Sequence, residues 1–326
     1  MRRRQFLTIL GGAAAAWPLS ARAQQPIPVI GWLSGVSPGG SVSNLAVFRE
    51  ALGGTGYVEH RNIEIEYRWA DGQYDRLPAM AADLVARQVA VIATMGGEAS
   101  ALAAKAITSQ IPIVMVAGGD PVQEGLVPNL NQPGGNVTGV TLFAQQMESK
   151  RLSLLHETVP KAKTFAALFN PTNAALHFQL DDVRKAAPRL GVELVVLYAS
   201  TESEIEGVFA GMAERKVEGL LVGADPFFNS RRARLIALTA QQRIPAIYEW
   251  RDMAVEGGLL SYGTVLAEAY RQLGNYVGRI LNGEKPGNLP VVQPTNFQLV
   301  INLKTAKALG LDFSPMLSAR ADEVIE

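Results

Sequence analysis

Cysteine is absent from the chain, so the fold holds no disulfide, no thiolate metal site and no lipidated cysteine. Histidine is scarce. His60, His156 and His177 are the three present, none at the short spacing of a zinc motif, and a Ser-His catalytic pair has little raw material. A carboxylate-only centre stays open. Neither sign of charge is in excess, with 30 basic and 30 acidic side chains, which removes the electrostatic case for a nucleic-acid partner. Beyond the first 23 residues no stretch approaches the ~20 consecutive apolar residues that a membrane-spanning helix requires.

Nucleotide and hydrolase motifs are also missing. No G-x-x-x-x-G-K-[ST] occurs, and the first strand-to-helix turn lacks G-x-G-x-x-G. The stretch "GGLLSYG" matches a G-x-S-x-G elbow only loosely, because Leu259 stands where the first glycine belongs. No cofactor and no metal is expected.

What is present begins with an export signal. "MRRRQFLTILGGAAAAWPLSARAQQ" has a basic start, an apolar stretch from Phe6 to Leu19 and an A-x-A site, which predicts cleavage after Ala23 and a periplasmic location. Arg3-Arg4-Gln5-Phe6-Leu7 fits a twin-arginine signal, with the ordinary secretory route as the alternative.

The remaining length exceeds what one hydrophobic core usually serves, so two lobes are expected. From Pro26 onward, short β-branched runs alternate with amphipathic stretches, which argues for βαβ units and parallel sheets covered on both faces. Strands are predicted over 29–34, 63–69, 89–94, 111–117, 165–170, 194–198, 219–223, 246–250, 259–262 and 297–301, with a long helix over 266–281 and a last helix beginning near Lys304. "SQIPIVMVAGGDP" and "QRIPAIYEWRDM" echo each other: each follows a helix and starts a strand at Ile-Pro, where the missing proline N–H is not needed. "NQPGGNVTGV" (131–140) reads as a crossover between two similar α/β lobes, and "NGEKPGNLPVVQP" as another.

In an open parallel sheet, ligands sit beyond the carboxyl ends of the strands. The loops there are "LSGVSPGG", "TMGGEAS", "AGGDPV", "NPTNA", "GADPFF", "YEW" and "SYG". Any βα connection favours Gly, Ser and Asp for turn geometry and capping, so no single loop is diagnostic. Seven with a shared hydroxylic, acidic and aromatic character point to one cleft. In "TMGGEAS", Gly96 and Gly97 let the backbone come close to an anionic group at a helix N-terminus, while Glu98 and the lack of a lysine disfavour phosphate.

Seven separated stretches, "GYVEHRNIEIEYRWADGQYDRLPAMAADLV", "GGDPVQEGLV", "PGGNVTGVT", "GADPFFNSRR", "IPAIYEWRDM", "GGLLSYG" and "FQLVINLKTAKALGL" with "ARADEVIE", occur in order along the chain. In them the chain resembles the TrpX-like family of ABC-transporter substrate-binding proteins. The resemblance implies the type I periplasmic binding fold: two Rossmann-like α/β lobes with parallel sheets joined by a three-stranded hinge. On this chain the lobes are expected over 27–141 with 263–290, and over 142–262 with 291–326. It also implies a monomer that closes on a small-molecule ligand and delivers it to an inner-membrane ABC permease.

Ser34, Gly96, Gly97, Asp120, Asn170, Asp225, Phe227, Tyr248, Glu249 and Tyr262 are then the expected ligand contacts, with no catalytic residue. Ser34 and the Gly96–Gly97 N–H groups are assigned to an anionic group, Asp120, Asp225 or Glu249 to an ammonium, and Phe227, Tyr248 and Tyr262 to the ligand body. The expected ligand is small and polar or zwitterionic, an amino acid or an aromatic carboxylate. The alternatives are a sensing module for a membrane receptor and an exported α/β enzyme.

Overall fold

The computed structural model describes residues 27–143 and 147–326. The export signal lies outside the described residues. Two sheets build the molecule. The first runs β2-β1-β3-β4-β5 and is parallel throughout, from β1 (Val29–Ser34), β2 (Glu64–Trp69), β3 (Val91–Met95), β4 (Ile113–Ala117) and β5 (Val137–Thr141). In the second, β6 (Thr164–Phe169), β7 (Glu193–Tyr198), β8 (Gly219–Val222), β9 (Ala246–Tyr248), β10 (Leu260–Thr264), β11 (Phe297–Asn302) and β12 (Glu323–Ile325) lie in the order β12-β11-β10-β9-β8-β6-β7.

The continuous apolar runs become strands buried on both faces: every residue of β3, β4 and β5 is buried. Helices cover each sheet, which is the architecture that such runs require. The Ile-Pro echo has a structural basis, since Pro112 and Pro245 each precede a strand and offer their carbonyls to Ile92 N and Leu220 N of the neighbouring strand.

Three features depart from the sequence reading. The stretch 131–140 is not merely a crossover, because its second half forms β5, completing the first sheet beside β4. Pro133, Gly134 and Gly135 occupy its beginning, whereas Gly139 lies within β5 itself. The second sheet is not wholly parallel: β11 runs antiparallel to β10, from Leu260↔Ile301 to Thr264↔Phe297. Two of the crossings also lie slightly further along the chain. All of β10 to Thr264 belongs to the second sheet, and Val292 still bridges to Val140 of the first.

The helix Leu266–Leu281 crosses back onto the first lobe. Its buried residues Tyr270, Leu273, Val277 and Ile280 recur at helical spacing and join the core around Trp32 and Phe48. Gly274 permits the close approach, since a Cβ there would stand 2.6 Å from the Phe48 carbonyl oxygen. The first sheet thus ends its last strand at Thr141, β10 ends in the second at Thr264, and strand-tip residues of both sheets line one gap.

Candidate functional site

The rim of the first lobe is made by backbone. Gly35 N donates to Met95 O at 2.9 Å, bringing the turn after β1 against the turn after β3. A Cβ on Gly35 would lie 2.2 Å from Gly96 O, so only glycine fits this junction. Gly97, at φ 86°, precedes the helix Glu98–Ile107, whose N-terminus has no side-chain cap. The N–H groups of that first turn therefore have the geometry and dipole to accept an anionic group.

The facing wall belongs to the second lobe and is acidic. Asp225 caps the short helix Pro226–Ser230, its Oδ1 accepting from Phe227 N at 2.8 Å, Asn170 Nδ2 at 3.0 Å and Tyr74 Oη at 2.8 Å. Its Oδ2 accepts from Asn173 Nδ2 at 2.8 Å. Burial nonetheless pushes its pKa up to about 6 against the pull of these donors. Glu249, directly after β9, is pushed further, to about 8, by burial and by the carboxylates of Glu148, Asp225 and Glu98, with Arg151 opposing.

Behind this wall Arg151 and Glu148 form a fully buried ion pair at 2.8 Å. Glu148 Oε1 also accepts from Ala224 N and Gln179 Nε2, both at 3.1 Å, and Arg151 Nε donates to Tyr262 O at 2.8 Å. Burial raises the Glu148 carboxyl, and Arg151 restrains the rise. This network fixes the backbone on either side of the acidic wall.

Between the lobes lies a cavity of about 60 Å³, measured to the centres of water molecules. Val36, Val116, Leu142, Trp250, Leu266 and Tyr270 give it an apolar and aromatic lining. Its polar lining comes from Asp225, Asn229 and Glu249, with the backbone of Gly96, Gly97 and Gly118. Among the described residues no Lys, Arg or His lines it. The cavity therefore offers carboxylates to a cation and only backbone N–H groups to an anion. No group of three or more His, Asp or Glu among the described residues is placed to hold a metal ion.

Of the expected contacts, Gly96, Gly97, Asp225 and Glu249 line this cavity together, and Asn170 stands one hydrogen bond behind, holding Asp225. The other five lie elsewhere. Ser34 is buried, and its Oγ accepts from Val36 N at 3.3 Å within its own turn. Asp120 Oδ1 caps its own loop, accepting from Val122 N and Gln123 N. Phe227 is buried in the second-lobe core under the Arg231 guanidinium, 5.0 Å from its ring centroid. Tyr248 is wholly buried in that core, its hydroxyl 3.0 Å from Thr239 Oγ1, because alternation along β9 turns it away from the cleft and Glu249 towards it. Tyr262 stacks on Phe297 across β10 and β11, with ring centroids 6.1 Å apart.

Trp250 and Tyr270 are the aromatic walls instead. Trp250 belongs to the flagged "YEW" loop, but Tyr270 sits in the buried stripe of a helix, where its spacing is that of any core residue. Tyr74, whose hydroxyl reaches Asp225 from the opposite lobe, carried no signal in the sequence beyond its polar turn.

The lobes touch directly. Besides Tyr74–Asp225, Ser37 N donates to Ser230 Oγ at 3.2 Å, and Arg231 Nη1 donates to Asp71 O at 2.6 Å and Asp71 Oδ1 at 3.1 Å.

Comparison with known proteins agrees with this geometry. A family model described as ABC transporter substrate binding protein matches residues 34–325. A tyrosine-binding protein of Clostridioides difficile (strain R20291) is 28% identical over 264 residues, 81% of this chain and 75% of the relative. Among solved structures, an ABC domain from Streptococcus pneumonia in complex with L-Trp is 25% identical with TM-score 0.82, covering 91% of this chain and 99% of that one. The ligand-free, open form of a substrate-binding protein with adhesive properties from Clostridium difficile, also 25% identical, gives TM-score 0.64 over 92% and 99%. At equal identity the chain superposes better on the ligand complex than on the open form.

Proposed function

The chain belongs to the ABC transporter substrate-binding proteins, and on that premise we propose that it binds an amino acid between its lobes in the periplasm and hands it to an inner-membrane permease. One observation carries the ligand class: two buried carboxylates, Asp225 and Glu249, face an interlobe cavity with no basic side chain in its described lining. A ligand ammonium completes that charge balance. The backbone around Gly96 and Gly97 receives the carboxylate, and the Trp250 and Tyr270 rings pack against the side chain.

Relatives that bind tyrosine and L-Trp support this reading, as does the aromatic lining. Because the contacts come from both lobes, the ligand binds the closed form better and draws the equilibrium towards it, each ~1.4 kcal/mol of preference shifting it tenfold. The permease then reads closure as occupancy. No catalytic step belongs to this scheme. Among the described residues no helix is long and apolar enough to cross a membrane.

Titration calorimetry of the purified protein against the common L-amino acids at neutral pH tests the proposal. Saturable one-site binding of at least one is expected. Binding of none of them would remove the ligand class.

A further inference from the structure

Two cavities adjoin at the hinge, and two side chains stand in the walls of both. The inner one is the site described above. The outer one, about 220 Å³ by the same measure, is lined by Ser43, Asn44 and Val47 from the first lobe and Arg251, Asp252 and Gln298 from the second. Trp250 and Leu266 line both. Trp250 and Leu266 are thus the residues at which the two spaces meet.

Trp250 is held firmly in that position. Its backbone follows Glu249, whose carbonyl oxygen would lie 2.3 Å from a Cβ on Gly263, so the loop is pressed against β10. Its carbonyl accepts from Met253 N at 3.0 Å, starting the next helical turn. The indole packs on the cores of both lobes, against the cluster containing Trp32 and Tyr270 and against that containing Phe228 and Tyr248. Because it touches both lobes, the ring is a fixed wall of the site in this arrangement rather than a free surface side chain.

The volumes make this wall matter. At roughly 10–15 Å³ of such volume for each water, the inner cavity corresponds to a handful of waters, close to the bulk of a small amino acid. The outer compartment is larger, and Ser43, Asn44, Arg251, Asp252 and Gln298 supply it with hydroxyl, amide and charged groups of its own.

We infer that Trp250, backed by Leu266, is the partition that sets the maximum length of the ligand, and that the compartment beyond it is a second subsite for the polar or distal end of a longer side chain. This rests on the reading of the inner cavity as an amino-acid site. Asp225 and Glu249 recognise the ammonium common to every amino acid. Trp250 discriminates among side chains.

The test compares wild type with Trp250→Ala and Trp250→Phe, using L-alanine, L-leucine, L-phenylalanine, L-tryptophan and 4-phenyl-L-phenylalanine as calorimetric probes. Removing the indole is expected to shift the ratio of affinities towards the longest probes by about tenfold or more, the scale on which apolar pocket size discriminates ligands, with Trp250→Phe between. An unchanged ratio in a folded variant overturns the inference. Should Trp250→Ala lose its near-UV circular dichroism, Leu266→Ala thins the same wall and is expected to shift the ratio in the same direction. A wild type that binds none of the five contradicts the amino-acid reading. In that event a crystal structure of Trp250→Ala decides the partition: one continuous cavity supports it, and two separate ones overturn it.

Discussion

The Tyr74 hydroxyl, from the first lobe, donates to Asp225 Oδ1 of the second at 2.8 Å, and both groups are buried. Burial together with the adjacent Asp225 carboxylate raises the Tyr74 hydroxyl well above the ordinary phenol range, so it stays a donor at every physiological pH. The bond exists only when the lobes are together. It joins the group assigned to the ligand ammonium to the closure that would report ligand.

Replacing Tyr74 by Phe removes this bond and leaves the ring in place. A hydrogen bond to a charged partner contributes roughly 1.5–3 kcal/mol, and here the contribution belongs to the closed form alone. Ligand affinity is expected to fall about ten- to a hundredfold. Calorimetry reads the affinity, and small-angle scattering of the ligand-free variant should show a larger radius of gyration than wild type.

The two buried carboxylates predict a pH dependence of definite sign. Glu249 is raised from 4.5 to about 8 and Asp225 from 3.8 to about 6, so between these limits the folded protein holds more protons than the unfolded chain. Their contribution to stability is complete below the unfolded values and is lost as pH rises through the folded ones. The ligand-free melting temperature should therefore fall between about pH 5 and about pH 8.5, and Glu249→Gln should flatten that fall. An ammonium ligand favours the ionised form, so binding near neutral pH should release up to about one proton from Glu249, visible as a binding heat that depends on buffer ionisation enthalpy.

Fold and site differed in how much of them the sequence disclosed. Strands such as β1 and β4 announce themselves because both faces are buried and the run is apolar, save for Ser34 at the tip of β1. β5 does not, because "VTGVT" follows Pro-Gly-Gly and owes its strand to pairing with β4, a partner about 20 residues away. In the site, Gly96, Gly97, Asp225 and Glu249 were legible from their place at strand tips. Tyr248 was misjudged because a strand alternates its faces, and whether the tyrosine or the next residue faces the cleft depends on a register that the neighbouring strands set. Trp250 stands in the strand-tip loop "YEW", but Leu266 and Tyr270 reach the cavity only through the packing of the helix Leu266–Leu281 on the first lobe, a tertiary relation without local signature.

Arg151 and Glu148 are wholly buried and satisfy one another behind the acidic wall. Arg151→Met leaves Glu148 buried without its counter-charge, held only by Ala224 N and Gln179 Nε2, which costs ~3–5 kcal/mol for a broken buried pair. Urea denaturation near pH 7 should show that loss. The double variant Glu148→Gln/Arg151→Met removes both charges and should recover much of it, since the large cost lies in the orphaned ion. A double variant no more stable than the single one would mean that the Arg151 bond to Tyr262 O carries the stability instead.

Gly97 is one place where the closed form is exposed to a small change. Its φ of 86° with ψ of 169° is a conformation that essentially only glycine adopts, at a cost of roughly 1–3 kcal/mol for any side chain. A methyl there would also meet Pro226 Cγ of the opposite lobe at 3.2 Å, tighter than an ordinary contact. The first effect is present whether the lobes are open or closed, whereas the second acts only on closure. Gly97→Ala is therefore expected to lower the ligand-free melting temperature slightly and to weaken ligand binding more than that strain explains. Gly134→Ala separates the two contributions: it has a comparable φ of 71°, and the nearest atom to its added methyl is 3.9 Å away, in its own loop. Because strain common to both forms cancels in the binding equilibrium, Gly134→Ala should leave affinity unchanged, and an affinity equally unchanged in Gly97→Ala would show that the Gly97–Pro226 approach does not govern closure.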